Sequence, residues 1–140
     1  MKLMSRNARR AGVIFTFAML IATVALFYVV KTEGFRAWSA VALSAAVVAT
    51  IVMSAVFYIR TGLWRFVHRD FAGYDEREAG VALGALRFAY AIFTVVALGL
   101  MLIASATAFE IHVVLVAGLI LSAHILPASV IAWNEPDIEE

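Results

Sequence analysis

The chain has 140 residues, 64% of them hydrophobic and 15% charged, with a formal net charge of +1 and a mean hydropathy of +0.95. A soluble domain is about half apolar and a quarter charged, and so short a chain has too much surface to hide such an excess inside itself; the solvent these side chains imply is lipid. The absence of cysteine excludes disulfides, thiolate metal sites and iron–sulfur clusters, and the arginines form no aromatic-interleaved basic face that would take nucleic acid.

Lys2, Arg6, Arg9 and Arg10 precede a charge-free run from Ala11 to Val30. A signal peptide starts in a similar way, but its apolar region is about 7–15 residues and ends at small residues. This run is longer and closes on Phe27-Tyr28-Val29-Val30, so it reads as a retained first span over 11–30. A turn centred on Gly34 leads to a second span over 37–59, bracketed by Trp38 and Tyr58, which suit interfacial anchors. That span is rich in small residues, Ser44 and Ala45 among them. Small side chains let helix backbones approach closely where lipid removes the hydrophobic incentive to associate. The second span is therefore expected to be the packing centre.

The connector at 60–80 divides by sign. Arg60, Arg65 and Arg69 come first, and Asp70, Asp75, Glu76 and Glu78 follow against Arg77 alone. Within 62–71, helical spacing puts Leu63, Phe66, Val67 and Phe71 on one side. This fits a short helix in the headgroup layer, with the arginines reaching anionic lipid, and fits equally an irregular loop with flanking positive charge. In Asp75-Glu76-Arg77-Glu78, clustered carboxylates could hold a cation or a proton. Local spacing favours structure instead: Asp75 as helix N-cap, Glu78 completing a capping box, and acids facing the positive end of the helix dipole.

Third and fourth spans are expected over 81–106 and 109–133. Gly80 and Gly84 form a GxxxG that permits a close crossing. Arg87 lies one to two turns into the third span, where it can snorkel to the interface. Glu110 and His112 lie at its far end, within reach of water. The last segment, NEPDIEE, is acidic, and Pro136 stops a helix. With the N-terminus inside, nine Lys and Arg fall on the cytoplasmic side and two, Lys31 and Arg36, outside; this bias places both termini in the cytoplasm. The fold class expected is all-α, an integral membrane four-helix bundle of two hairpins. A gap-free shift of 78 positions also superimposes Arg9, Thr16 and Leu20 on Arg87, Thr94 and Leu98, a faint sign that the hairpins are copies of one another.

His124 is the polar group that no interface explains. It lies midway along the fourth span, three residues before Pro127, whose missing N–H frees the carbonyl of Ala123. His124, neutral, or Ser122 is expected to help satisfy the local backbone and to cross to the second helix, with proton relay or ligand contact as the competing role of His124. One haem cannot be clamped by His112 and His124, which on a helix lie about 18 Å apart along the axis.

The DERE motif at Asp75 to Glu78, the Arg87-Phe88-Ala89-Tyr90 that follows, and the closing Leu126-Pro127-Ala128-Ser129-Val130-Ile131-Ala132-Trp133-Asn134-Glu135-Pro136-Asp137 resemble a family of small prokaryotic multi-span membrane proteins of unknown function. The resemblance covers the second half of the chain. It implies a bacterial or archaeal inner-membrane protein and brings no catalytic residues with it. The functional expectation is a non-enzymatic accessory subunit or scaffold, as a homo-oligomer or within a larger membrane complex, with no cofactor or metal. A small oligomeric ion-coupled carrier using His124 comes second, and a haem or redox subunit third. No nucleophile–base pair lies within the spans to support an enzyme.

Overall fold

The computed structural model describes residues 4–70 and 73–134. The described residues form five α-helices: α1 (Arg6–Glu33), α2 (Ala37–Arg60), α3 (Leu63–Val67), α4 (Glu76–Ala106) and α5 (Val113–Asn134). The four longer ones are long and apolar enough to cross a membrane. The protein is an all-helical bundle, as the charge-free runs require. The acidic closing segment and the helix stop at Pro136 lie outside the described residues, as does Phe71 of the connector.

Local chemistry sets the helix ends. Ser5 Oγ accepts from the backbone N–H of Ala8 at 3.4 Å and opens α1, satisfying one of the donors that a helix start leaves over. Gly34, at φ 85°, closes it, a conformation a side chain would oppose. Only residues 34–36 then separate α1 from α2, so the two run antiparallel. Gly62, at φ 72°, turns the chain from α2 into α3. Asp75 Oδ1 accepts from Glu78 N–H at 2.7 Å while Glu78 Oε2 accepts from Asp75 N–H at 3.3 Å, the reciprocal capping box that the spacing predicts.

α1 packs between α2 and α5, and α5 between α1 and α4; α3 folds back against α5 and the end of α2. The packing centre is therefore α5 with α1, not α2 as the small-residue content led one to expect. From Pro127 to Ala132 every residue of α5 is buried, because α1, α3 and α4 all meet it there. α1 and α4, which the faint repeat would equate, have different surroundings, since α1 packs closely on both α2 and α5 whereas α4 packs mainly on α5.

The interior is built mostly from small and hydroxyl-bearing side chains. Thr16, Thr23, Ser39, Thr50, Ser54 and Ser129 are buried, together with Ala46, Ala82, Ala85, Ala89, Ala128 and Ala132. Large apolar residues such as Val41, Ile51, Val95 and Leu102 face outward. Water would penalise this arrangement, and lipid rewards it: small faces let backbones approach and hydroxyls bond across helices. Thr23 and Thr50 show the result, their Oγ1 atoms 2.9 Å apart across the α1–α2 seam.

Candidate functional site

Four polar assemblies hold the chain's chemistry. The first lies at the arginine-rich end, where α1 begins and α5 finishes. Arg10 donates from Nε and Nη2 to the carbonyl oxygen of Trp133, at 3.2 and 3.1 Å. Its guanidinium also lies 4.9 Å from the centre of the Trp133 ring. A helix C-terminus leaves its last carbonyls without intrahelical donors and carries partial negative charge, so a cation there meets both needs. Arg9 beside it is 5% exposed. Both arginines read from sequence as plain flanking charge.

Just inside this end, Tyr58 of α2 is 1% exposed, and its hydroxyl lies 2.7 Å from Ser129 Oγ on α5. Ser129 in turn donates to the carbonyl of Ile125 at 2.8 Å. Tyr58 is thus an interhelical tie rather than the interfacial anchor its place near the end of the second span implied. The physical reason is α3: Leu63 folds in at 2% exposure and covers the end of α2. Gly12 admits the neighbouring Phe57, whose ring would stand only 2.3 Å from a Cβ at that position.

The connector forms the second assembly. α3 buries Leu63, half-buries Phe66 and Val67, and leaves Trp64 and Arg65 exposed. Of the two readings of 62–71 the structure has the short helix, laid against protein on its apolar side. Tyr74 bonds through its hydroxyl to the carbonyl of Phe66 and packs edge-on to the Phe66 ring. Arg69 approaches the Tyr74 ring at 5.9 Å and Glu78 Oε2 at 3.9 Å. Burial pushes the Tyr74 phenol above its ordinary value of 10.0; Arg69 pulls it back and Glu78 adds to the rise. Asp75 and Glu78 are occupied by the cap, while Glu76 and Arg77 are exposed.

The third is His124. Its Nδ1 lies 2.8 Å from the carbonyl of Ile120, and the residue is exposed on α5. His124 thus serves the local backbone as expected, at the Ile120 carbonyl rather than that of Ala123, and the expected crossing to α2 is not seen among the described residues. Side chains on a helix lean toward its N-terminus, so the ring reaches the carbonyl four residues back instead of the one beside it. Pro127 is buried within an uninterrupted α5.

At the opposite end, Tyr28 of α1 donates to the carbonyl of Glu110 at 2.6 Å and accepts from the N–H of His112 at 3.4 Å. Phe109 stacks on its ring at 5.0 Å. Phe27 packs against the imidazole of His112, and His112 Nε2 is 3.4 Å from Glu110 Oε2. His112 is thus largely enclosed, at 20% side-chain exposure, and Glu110 remains in the open at 76%.

The remaining candidates face outward. A Cβ added at Gly80 or Gly84 would meet no atom within 4 Å; the two glycines line an open groove with Phe88 of α4 and Val130, Ile131 and Asn134 of α5. Arg87 is exposed on the same helix. Ser44 and Ala45 lie on an outer face of α2 beside Val41, Val48 and Phe15. Among the described residues, no three His, Asp or Glu side chains converge as a metal site would need. No protein-family model, curated protein or solved structure matches the chain, so the function rests on the geometry.

Proposed function

We propose that this protein is a non-enzymatic accessory subunit or scaffold of a prokaryotic inner membrane, with both termini in the cytoplasm. The observation that carries the reading is the exposure of α4. It is the longest helix, yet only 6% of its apolar window is buried, and Gly80 and Gly84 leave open room on its surface. A helix so little used by its own fold is available to other membrane helices, and small residues suit such contacts. Arg10 with Trp133 and Tyr58 with Ser129 tie helices to one another, which is the work of a scaffold. Arg60 and Arg65 are exposed, as is half of the Arg69 side chain; these suit anionic headgroups of the cytoplasmic leaflet, worth about 1 kcal/mol per arginine near the surface.

The test is purification from the native membrane after chemical cross-linking, with mass spectrometry of everything bound. The reading expects one stoichiometric membrane partner or a defined homo-oligomer, lost on Gly84→Leu or Ala45→Leu while the helical content is unchanged. A monomer with lipid alone would sink it. The exposed, mid-span His124 supports a second reading, an ion-coupled oligomeric carrier. Proteoliposomes whose pH-dependent flux disappears in His124→Ala would favour that instead.

A further inference from the structure

His124 stands eleven residues from Val113 and ten from Asn134, the two ends of α5. At 1.5 Å per residue the ring is about 15 Å from either end of the helix, beyond the reach of a histidine side chain to an interface. Its Nδ1 approaches the Ile120 carbonyl, an atom that only accepts. Nδ1 therefore carries the hydrogen, and in the uncharged form of the ring this leaves Nε2 as a bare lone pair. No described residue donates to Nε2, and the residue is exposed on a face shared with Ala117, Ile120 and Ala123. Acyl chains hold no donor, and an unmet polar atom in hydrocarbon is costly.

We infer that this face of α5 seats a transmembrane helix of another protein, one that presents a hydrogen-bond donor (hydroxyl, amide or indole N–H) to His124 Nε2 at mid-bilayer depth. This rests on the subunit reading and names the partner's chemistry. A second copy is the poorer occupant. Copies most often associate about a two-fold axis, and across this face that axis would set His124 against His124, two lone pairs with no hydrogen between them. A donor from a different chain completes the bond.

The test uses the full chain in its native membrane, with the photo-cross-linking residue p-benzoylphenylalanine at Ile120 or Ala123, and at Gly84 for comparison. The expected adduct at 120 or 123 is a membrane-spanning segment of another protein with a donor side chain within one turn of the linked position. His124→Phe should then speed dissociation of that complex about three- to twenty-fold, the range found for interhelical hydrogen bonds in membranes, and His124→Gln, which keeps an acceptor, should restore most of it. Replacing the partner's donor by its apolar isostere should give the same loss, with no more when combined with His124→Phe. An adduct to a second copy, to lipid alone or to a segment without a donor overturns the inference, and so do additive effects of the two changes. A protein adduct from Gly84 with none from Ile120 or Ala123 overturns it while leaving the subunit reading intact. No protein adduct at any position overturns both.

Discussion

Arg10 and Trp133, near opposite ends of the chain, meet twice: two guanidinium nitrogens donate to the Trp133 carbonyl, and the cation lies over the Trp133 ring. The first helix is thereby fastened to the last where α1 begins and α5 finishes. Arg10→Ala should cost about 1–2 kcal/mol, from a charge-assisted bond and a cation–π contact at a partly exposed position. Arg10→Lys should recover less than half, because an ammonium lacks the planar fork. With Trp38 and Trp64 replaced by Phe, the emission of Trp133 during a detergent unfolding titration reads the effect directly. Equal stability of the Ala, Lys and parent proteins would show that the contact holds nothing.

A second tie, Tyr58 to Ser129, is buried on both sides. Removing either hydroxyl should destabilise the fold, and the double variant Tyr58→Phe with Ser129→Ala should lose less than the sum. A coupling of about 0.6–1.7 kcal/mol is expected for such a bond. Ser129 retains its bond to Ile125 in the Tyr58→Phe protein, which keeps its residual cost low. Strict additivity in the double-mutant cycle would mean that the two hydroxyls do not share a hydrogen.

The spans were legible in the sequence because a charge-free run long enough to cross a bilayer can be hosted by little except lipid. The cap at Asp75 was legible because both partners lie within one turn. Arg10–Trp133 and Tyr58–Ser129 were not, since each depends on which helices become neighbours, and residue spacing along one helix does not say that. The misplaced packing centre has a related cause. Ala46, Thr50, Ser54 and Phe57 of α2 face inward at helical spacing, while Ser44 and Ala45 stand about 200° and 100° around the axis from Ala46. Abundance of small residues showed that α2 could pack closely, not on which side. His124 was found through its rarity, but its direction required the lean of the side chain along α5.

The glycines of this chain divide into filled and open positions. Gly12→Ala drives a methyl into the Phe57 ring, which is itself buried, and overpacking of this kind costs about 1–3 kcal/mol. Gly80→Ala meets nothing and replaces glycine within a helix, so it should be neutral or stabilising by up to about 1 kcal/mol. Thermal unfolding of the two variants in one detergent checks both, and the signs should be opposite. A destabilised Gly80→Ala protein in the absence of any partner would mean that the groove beside it is closed in the isolated chain.

The connector predicts a pH response of its own. Tyr74 has its phenol raised above 10.0, with burial the first cause, the neighbouring Glu78 adding and Arg69 opposing. A raised value means that the folded chain holds the phenolic proton more tightly than the unfolded chain does. Linkage then makes this contribution fully present below pH 10 and lost as pH rises through the folded value. The ionised phenolate can no longer donate to the Phe66 carbonyl, so the connector should loosen in the same alkaline window. The difference in phenolate absorbance between the parent and Tyr74→Phe isolates this residue from the other three tyrosines. Its midpoint should lie above 10, and proteolysis within 68–75 should accelerate in parent protein over that range, while Tyr74→Phe is cut quickly at every pH. A midpoint at or below 10 would place Tyr74 in open solvent and remove it from the latch with Phe66 and Arg69.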